Sequence, residues 1–185
     1  MSGKIRDHTM WSLPFRMRRC LLVIALLVSP VLVAQKTDSL PFQDDLLDHL
    51  VGRWQVAGVV HGKTSKQALE AEWVLHHQFL RVYEKSVENV SGTDVPYEGF
   101  CFIGYDNDAK RYVAHLMNVF GGRDSEALGY GQRRGDELKF VFTHAKASIV
   151  QRFIWQPESK AWHIVSSLDG KAEHFIDLTA TAAKY

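Results

Sequence analysis

The chain has 185 residues, with 22 basic and 21 acidic side chains and two cysteines. Five of the basic residues and one of the acidic residues lie within residues 1–34, so residues 35–185 carry 17 basic and 20 acidic side chains, a formal charge of −3. Nucleic acids and anionic membrane surfaces need a basic face to bind, and a mildly acidic domain excludes both as partners.

The first predicted element is an export signal at residues 1–34. Its basic half precedes an uncharged apolar stretch at 20–33, and Ala34 stands before the expected cleavage point. This order is typical of a secretory signal, and the stretch is shorter than the roughly 20 residues that a membrane-spanning helix needs. We therefore expect an exported protein, periplasmic or secreted, with no stable membrane insertion once the signal is removed. An uncleaved membrane anchor is the alternative.

Residues 35–42 then form a short leader, and residues 43–185 form one domain. Cys20 leaves with the signal, so Cys101 has no partner for an internal disulfide. Stability must come from a core, and a domain of this size is large enough to bury one. The Cys101 thiol lies in a predicted strand, where we expect it to be half-buried and inert.

One helix is predicted, at residues 41–52. Its apolar residues recur at helical spacing, Asp44 and Asp45 lie in its first turn, and Gly52 stands just past its end. Acidic residues at the start and glycine after the end are typical helix boundaries. We expect this helix to plug one end of the domain.

From Trp54 onward apolar residues recur at every second position, which predicts β-strands. Short turn-rich gaps separate these strands, so consecutive strands are expected to form antiparallel hairpins. About ten strands in one small domain favour an all-β, up-and-down, lipocalin-like barrel, because closure removes exposed strand edges. A two-sheet sandwich is the alternative. The predicted strands span residues 54–61, 71–76, 79–87, 97–105, 111–119, 126–132, 137–144, 149–156, 161–168 and 172–182.

Three segments resemble known barrel families. Residues 50–58, after a short helix, are similar to the opening strand of lipocalin-like barrels. Residues 97–113, where one strand ends in Gly-Tyr-Asp and the next opens with Arg-Tyr-Val, resemble the bacterial family called domain of unknown function 1579. Asp169-Gly170 before a Thr-rich last strand fits the same family, so the resemblance covers residues 41–182. It implies a lipocalin-like barrel with structural positions at Gly52, Trp54, Gly58, Gly104, Tyr105 and Asp106.

These structural positions have expected roles. Trp54 is expected to close the barrel floor against the helix, and Gly104 to leave room where Tyr105 turns the chain. Asp106 is expected to hydrogen-bond the backbone of the turn that follows it, as Asn and Asp commonly do.

The first strand also resembles that of the haem-binding nitrobindins, although Val56 replaces one of their glycines. Nitrobindins hold the iron through a histidine directly before a Leu-x-Ala segment, and here Asp177 stands before Leu178-Thr-Ala180. His174 lies an odd number of positions earlier, which places it on the opposite strand face. We predict no cofactor, with haem and nitric oxide or peroxynitrite chemistry as the alternative that this resemblance implies.

Three of the nine histidines fall on apolar faces of predicted strands. The apolar face of a barrel strand is its interior, so these side chains are expected in the lumen, hydrogen-bonded to a neighbour or in contact with a ligand. Met117 shares a strand and a face with one of these histidines, and neighbouring strands add a polar and an aromatic side chain. The candidate lumen residues are therefore His115, His144, His174, Arg152, Tyr130 and Met117.

Neither a metal site nor a catalytic site is predicted. His76 and His77 are adjacent, so on a strand they face opposite ways and cannot chelate one ion together. The chain has no nucleophile elbow and no phosphate-binding glycine loop. The sequence therefore predicts a non-catalytic barrel that binds a small, mostly apolar molecule, or else a filled barrel that serves as a structural or interaction module.

Overall fold

The computed structural model describes residues 41–90 and 92–184, without the side chain of Asp124. The predicted signal and residues 35–40 of the leader lie outside these residues. Within the described ranges, no helix has the length and apolar character needed to cross a membrane. The elements in chain order are α1 (Asp45–Asp48), β1 (Gly52–Val60), β2 (Lys63–Val74), β3 (Phe79–Asn89), β4 (Pro96–Asp106), β5 (Arg111–Asn118), α2 (Gly122–Ser125), β6 (Leu128–Arg134), β7 (Glu137–Thr143), β8 (Ser148–Gln156), β9 (Ala161–Leu168) and β10 (His174–Ala182).

The ten strands close into one barrel. Each strand pairs with its neighbours in the chain, and β1 also pairs with β10, so the sheet has no open edge. All the pairings are antiparallel, which confirms the predicted up-and-down barrel and not the two-sheet sandwich.

The strands of the barrel match the predicted ones in number and order, with one large difference in length. β2 begins at Lys63, whereas the sequence predicted a strand only from residue 71. The half of β2 that was not predicted is largely polar, yet the burial of its side chains alternates. Gln67 and Leu69 are buried, while their neighbours Lys66 and Ala68 are exposed. A polar residue can face inward here because it faces a cavity. The short helix α2 was not predicted.

The helix α1 plugs one end of the barrel, as expected, although it is a single turn and much shorter than residues 41–52. Asp44 caps its start by accepting a hydrogen bond from the Leu47 amide at 2.8 Å. Leu46, Leu47 and Leu50 are fully buried in the barrel core. These leucines therefore seal the end at which β1 starts.

The capping residue also ties the plug to the barrel wall. Tyr112 of β5 donates its hydroxyl hydrogen to Asp44, and the Arg133 guanidinium of β6 lies 3.7 Å from the same carboxylate. Arg133 additionally pairs with the exposed Asp45 through a 3.1 Å contact. The cap of α1 is thus fixed by two strands that lie far from it in the chain.

Trp54 lies beside the plug and packs against it. Its indole N–H donates to the Leu50 carbonyl at 2.8 Å, and its ring meets Trp155 edge-on at 6.4 Å. The side chain is buried. Trp54 therefore belongs to the floor of the barrel.

Two of the glycines hold tight contacts within the wall. A Cβ on Gly58 would lie 2.1 Å from the Asp177 carbonyl oxygen, so glycine allows β1 and β10 to pair closely. A Cβ on Gly104 would lie 2.6 Å from the Phe79 ring. The room at Gly104 is therefore used by a neighbouring ring and not by a turn at Tyr105, which corrects the expected role.

The remaining structural positions lie in the same region of the fold. Gly52 opens β1 with φ of +130°, a conformation that favours glycine. The Tyr105 ring stacks on Phe42 at 5.6 Å. Asp106 accepts hydrogen bonds from the backbone amides of Asp108 and Ala109, at 3.1 and 2.9 Å, and so shapes the β4–β5 turn.

Candidate functional site

A cavity of about 850 Å³ lies inside the barrel. Its lining includes residues from the turns that follow β1, β3, β5 and β7, and Phe175 near the start of β10, which all lie at the end away from α1. Of the lining residues at this end, His61, Glu88 and Phe120 are exposed to solvent. The cavity is therefore closed by the plug at one end and has its mouth at the other.

Most of the cavity wall is apolar. The side chains come from nearly every strand and are largely aliphatic or aromatic, which gives a ligand many surfaces to pack against. The apolar lining residues of the strands include Val56, Val60, Leu69, Val82, Leu116, Phe142, Ile149, Phe153, Ile164, Phe175, Ile176 and Leu178.

One side of the cavity is polar. Gln67 of β2 lies opposite Ser86 of β3, while Glu84 lies one inward position nearer the plug and opposite Gly99 of β4. Gly99 in turn faces Asn118 of β5. We call this set the polar wall; its side chains belong to Gln67, Glu84, Ser86, Tyr97 and Asn118.

Gly99 makes room for an aromatic ring on the polar wall. A Cβ at this position would lie 2.9 Å from the Tyr97 hydroxyl oxygen. The Tyr97 side chain therefore folds over Gly99, where a larger residue would obstruct it. Ser86 fixes the backbone beside it, since its hydroxyl accepts a hydrogen bond from the Tyr97 amide at 2.8 Å and donates one to the Glu88 carbonyl at 2.6 Å.

Glu84 is an acid that has no counter-charge in the part of the chain that the structure describes. None of the ion pairs between described residues includes it, and its carboxyl accepts no hydrogen bond from them. Burial in the wall disfavours the charged form and raises the pKa of Glu84 to about 7. The carboxyl is thus half ionised near neutral pH, a state that water-exposed glutamates do not reach.

Glu84 also acts on its neighbours. Burial raises the pKa of the Cys101 thiol to about 12, and the negative charge of Glu84 adds to the effect. The pKa of Tyr97 is raised for the same two reasons, in the same order. Both groups stay protonated at physiological pH, so Cys101 supplies no thiolate nucleophile.

Gln67 is the second unusual group of the polar wall. Only 8% of its surface is exposed, and its side-chain oxygen has no hydrogen-bond partner among the described residues. Its amide nitrogen donates to the Ser65 hydroxyl at 3.3 Å. A buried acceptor without a partner costs free energy, and a bound molecule that donates a hydrogen would remove that cost.

The predicted lumen residues are mostly elsewhere. His144 lines the cavity, near its mouth. His115 and Met117 lie on the outer face of β5, where the His115 Nε2 contacts the Ser125 carbonyl oxygen at 2.9 Å. The inward residues of β5 are Tyr112, Ala114 and Leu116, one position out of phase with the expectation. This correction has a physical reason: Tyr112 must face inward to reach the plug.

Three more candidates lie outside the cavity lining. Arg152 forms an ion pair with Glu137 on the neighbouring strand, at 3.3 Å. Tyr130 is 41% exposed, and the Arg111 guanidinium lies over its ring at 3.8 Å. His174 is exposed at the start of β10, where a register shift before Ile176 breaks the alternation that the sequence seemed to continue.

The residues at the position of the nitrobindin iron ligand do not fit a haem held in that way. Asp177 is exposed on the outer face of β10, and its carboxylate is 2.8 Å from the His163 Nε2. The histidines that line the cavity are His61 and His144, both in turns at the mouth. His61 is stacked on Phe175 at 5.1 Å.

No family model matches the chain, and no curated protein matches it either. The indication of function therefore comes from the cavity and not from a related protein. Its volume lies within the 300–1,000 Å³ or so that is usual for small-molecule sites, and its lining combines apolar surface with a few polar groups, as such sites do.

Proposed function

We propose that this protein binds one small, mostly apolar molecule in the lumen of its barrel and holds it without chemical change. The cavity of about 850 Å³ carries this proposal, because a barrel that serves only as a scaffold has no need of so large an interior space. Its apolar lining supplies binding free energy at roughly 25 cal/mol per Å² of ligand surface removed from water.

We also propose that the protein is exported and carries its ligand outside the cytoplasm. The support comes from the sequence, in which a basic segment precedes a short apolar stretch and a small residue. Intact-mass measurement of the protein from its native host is expected to give a chain that starts near Gln35. A chain that retains residues 1–34 would contradict export through a cleaved signal.

Binding is tested with a neutral apolar fluorophore such as phenylnaphthylamine, whose emission rises when it leaves water. Leu116 lines the cavity and Met117 is 37% exposed on the outside, so the two neighbours form a matched pair. Leu116→Trp is expected to fill the cavity and weaken fluorophore binding about tenfold or more, a loss of at least about 1.4 kcal/mol. Met117→Trp is expected to leave binding within about twofold.

The fluorophore experiment has two outcomes that count against the proposal. If the wild-type protein gives no saturable rise in emission, then the cavity does not take up apolar molecules. If Met117→Trp weakens binding as much as Leu116→Trp does, then the fluorophore binds on the outer surface of β5. Circular dichroism of both variants confirms that the barrel is intact.

A further inference from the structure

The polar wall of the cavity offers hydrogen-bond acceptors that no described residue uses. The Glu84 carboxyl meets no cation, and the Gln67 side-chain oxygen has no hydrogen-bond partner among the described residues. A cavity that binds only hydrocarbon gains nothing from either group, since both cost free energy while they are unpaired and shielded from water.

The two acceptors are close enough to act on one ligand group. In the antiparallel pair β2–β3, Glu84 lies directly opposite Leu69, and Gln67 is the next inward residue of β2. Diagonal neighbours of this kind are roughly 7–8 Å apart at their Cα atoms, and both side chains reach from there into the same space. A single ammonium group between them can donate to both.

The polar wall also disfavours ligands that carry a negative charge. An ionised Glu84 repels a carboxylate ligand, and the basic groups of the lining lie away from it, at the mouth: Lys63 at the start of β2 and the imidazoles of His61 and His144. Glu84 acts electrostatically on the Tyr97 hydroxyl and the Cys101 thiol, which both remain neutral.

We propose that the cavity takes a ligand with an apolar body and one protonated amino group, and that Glu84 binds the ammonium with Gln67 as the second acceptor. This inference rests on the proposed function and narrows the class of ligand to amphiphilic amines. The apolar body fills the space between the aromatic and aliphatic side chains of the opposite wall, such as Phe142 and Phe153.

The test compares three ligands with one chain length and different head groups. Octylamine, octanol and octanoate compete with the fluorophore at about pH 8, where Glu84 is ionised and octylamine is protonated. Octylamine is expected to bind about tenfold more tightly than octanol, because a charged hydrogen bond is stronger than a neutral one, and octanoate is expected to bind most weakly.

Two substitutions assign the preference to Glu84. Glu84→Gln is expected to reduce the affinity for octylamine to that for octanol, and to change octanol binding less than about twofold. Glu98→Gln removes a carboxylate from the outer face of β4, where it interacts with Tyr83 and Lys85. That control is expected to keep the full preference for octylamine.

The wild-type protein provides a second readout that does not depend on a variant. Below about pH 6 the Glu84 carboxyl is mostly protonated, so an ammonium that binds there must displace a proton. Calorimetry in buffers with different ionisation enthalpies is expected to show release of up to one proton with octylamine and none with octanol.

Equal affinities for octylamine and octanol in the wild-type protein, or a preference that survives Glu84→Gln, would overturn the inference about amines. In either case octanol binding would leave the proposed function standing. If neither the fluorophore nor any octyl ligand enters the barrel, then the proposed function fails and this inference fails with it.

Discussion

Replacement of Trp162 by alanine is expected to lower the free energy of unfolding by about 3–5 kcal/mol, the usual cost of deleting a large buried aromatic side chain. Trp162 is fully buried in the core. Its indole N–H points to the His49 carbonyl oxygen at 3.3 Å, and its ring packs against Trp155 at 5.4 Å. The substitution therefore leaves a cavity between β9 and the end of the plug and also removes a polar contact that links them. Urea denaturation followed by circular dichroism measures the change.

The matched control for this substitution is Trp73→Ala. Trp73 also touches the plug region, since its indole N–H donates to the Asp48 carboxylate at 2.8 Å, but it is only partly buried. We expect a loss of about half the size, in line with the smaller area that Trp73 removes from water. Equal losses for Trp73 and Trp162 would contradict the view that burial at the plug governs stability.

The substitution Glu84→Gln is expected to stabilise the empty protein at about pH 8 by about 2 kcal/mol, and to have little effect near pH 4.5. The reason is that the wild-type barrel must hold a partly buried charge at the higher pH, with no counter-ion among the described residues, whereas a neutral amide of similar shape carries no such penalty. Water in the cavity moderates the gain. Denaturation of the wild-type and Glu84→Gln proteins across the pH range measures the difference.

The sign of the pH dependence follows from the pKa of Glu84, which burial raises from 4.5 to about 7. Between these values the folded protein binds more protons than the unfolded chain, so the Glu84 contribution to stability falls as pH rises. Asp45 acts in the opposite sense at lower pH, since Arg133 lowers the pKa of Asp45 to about 2. If Glu84→Gln and the wild-type protein differ by the same amount at both pH values, then Glu84 is not the group that titrates.

The barrel was largely predictable from the sequence because its strands are short, alternating and separated by turn residues. The prediction failed for the first half of β2, where the inward residues Ser65 and Gln67 are polar. An interior that is a cavity tolerates such residues, whereas a filled interior does not. Alternation of hydrophobicity therefore identifies strands that face a core more reliably than strands that face a lumen.

The site was less predictable than the fold, for two physical reasons. On β5 the apolar residues alternate on both faces, so hydrophobicity alone did not show that Leu116 faces inward and His115 outward. On β10 a register shift exposes His174, and nothing in the residue types indicates it. On β5 the contact of Tyr112 with the plug decided the orientation, and on β10 the register shift decided it.

Glu84 was missed although the sequence contained a sign of it. Glu84 lies on the same face of β3 as Leu80 and Val82, both of which are buried. A strand face that carries buried apolar residues points into the barrel, so an acid on the same face also points into the lumen. A charged side chain usually indicates an exposed position, which holds for most carboxylates but not for one that faces a cavity.

The pairing of β1 with β10 has a consequence for how the chain reaches this structure. Gln55 and Thr181 meet across this seam although they are 126 residues apart in the chain. Contacts at such separation form slowly, because the chain between them must first be ordered. Until the seam forms, β1 and β10 are open edges that can pair with other molecules. Closure of the seam therefore removes both open edges and ends the period in which they expose the chain to aggregation.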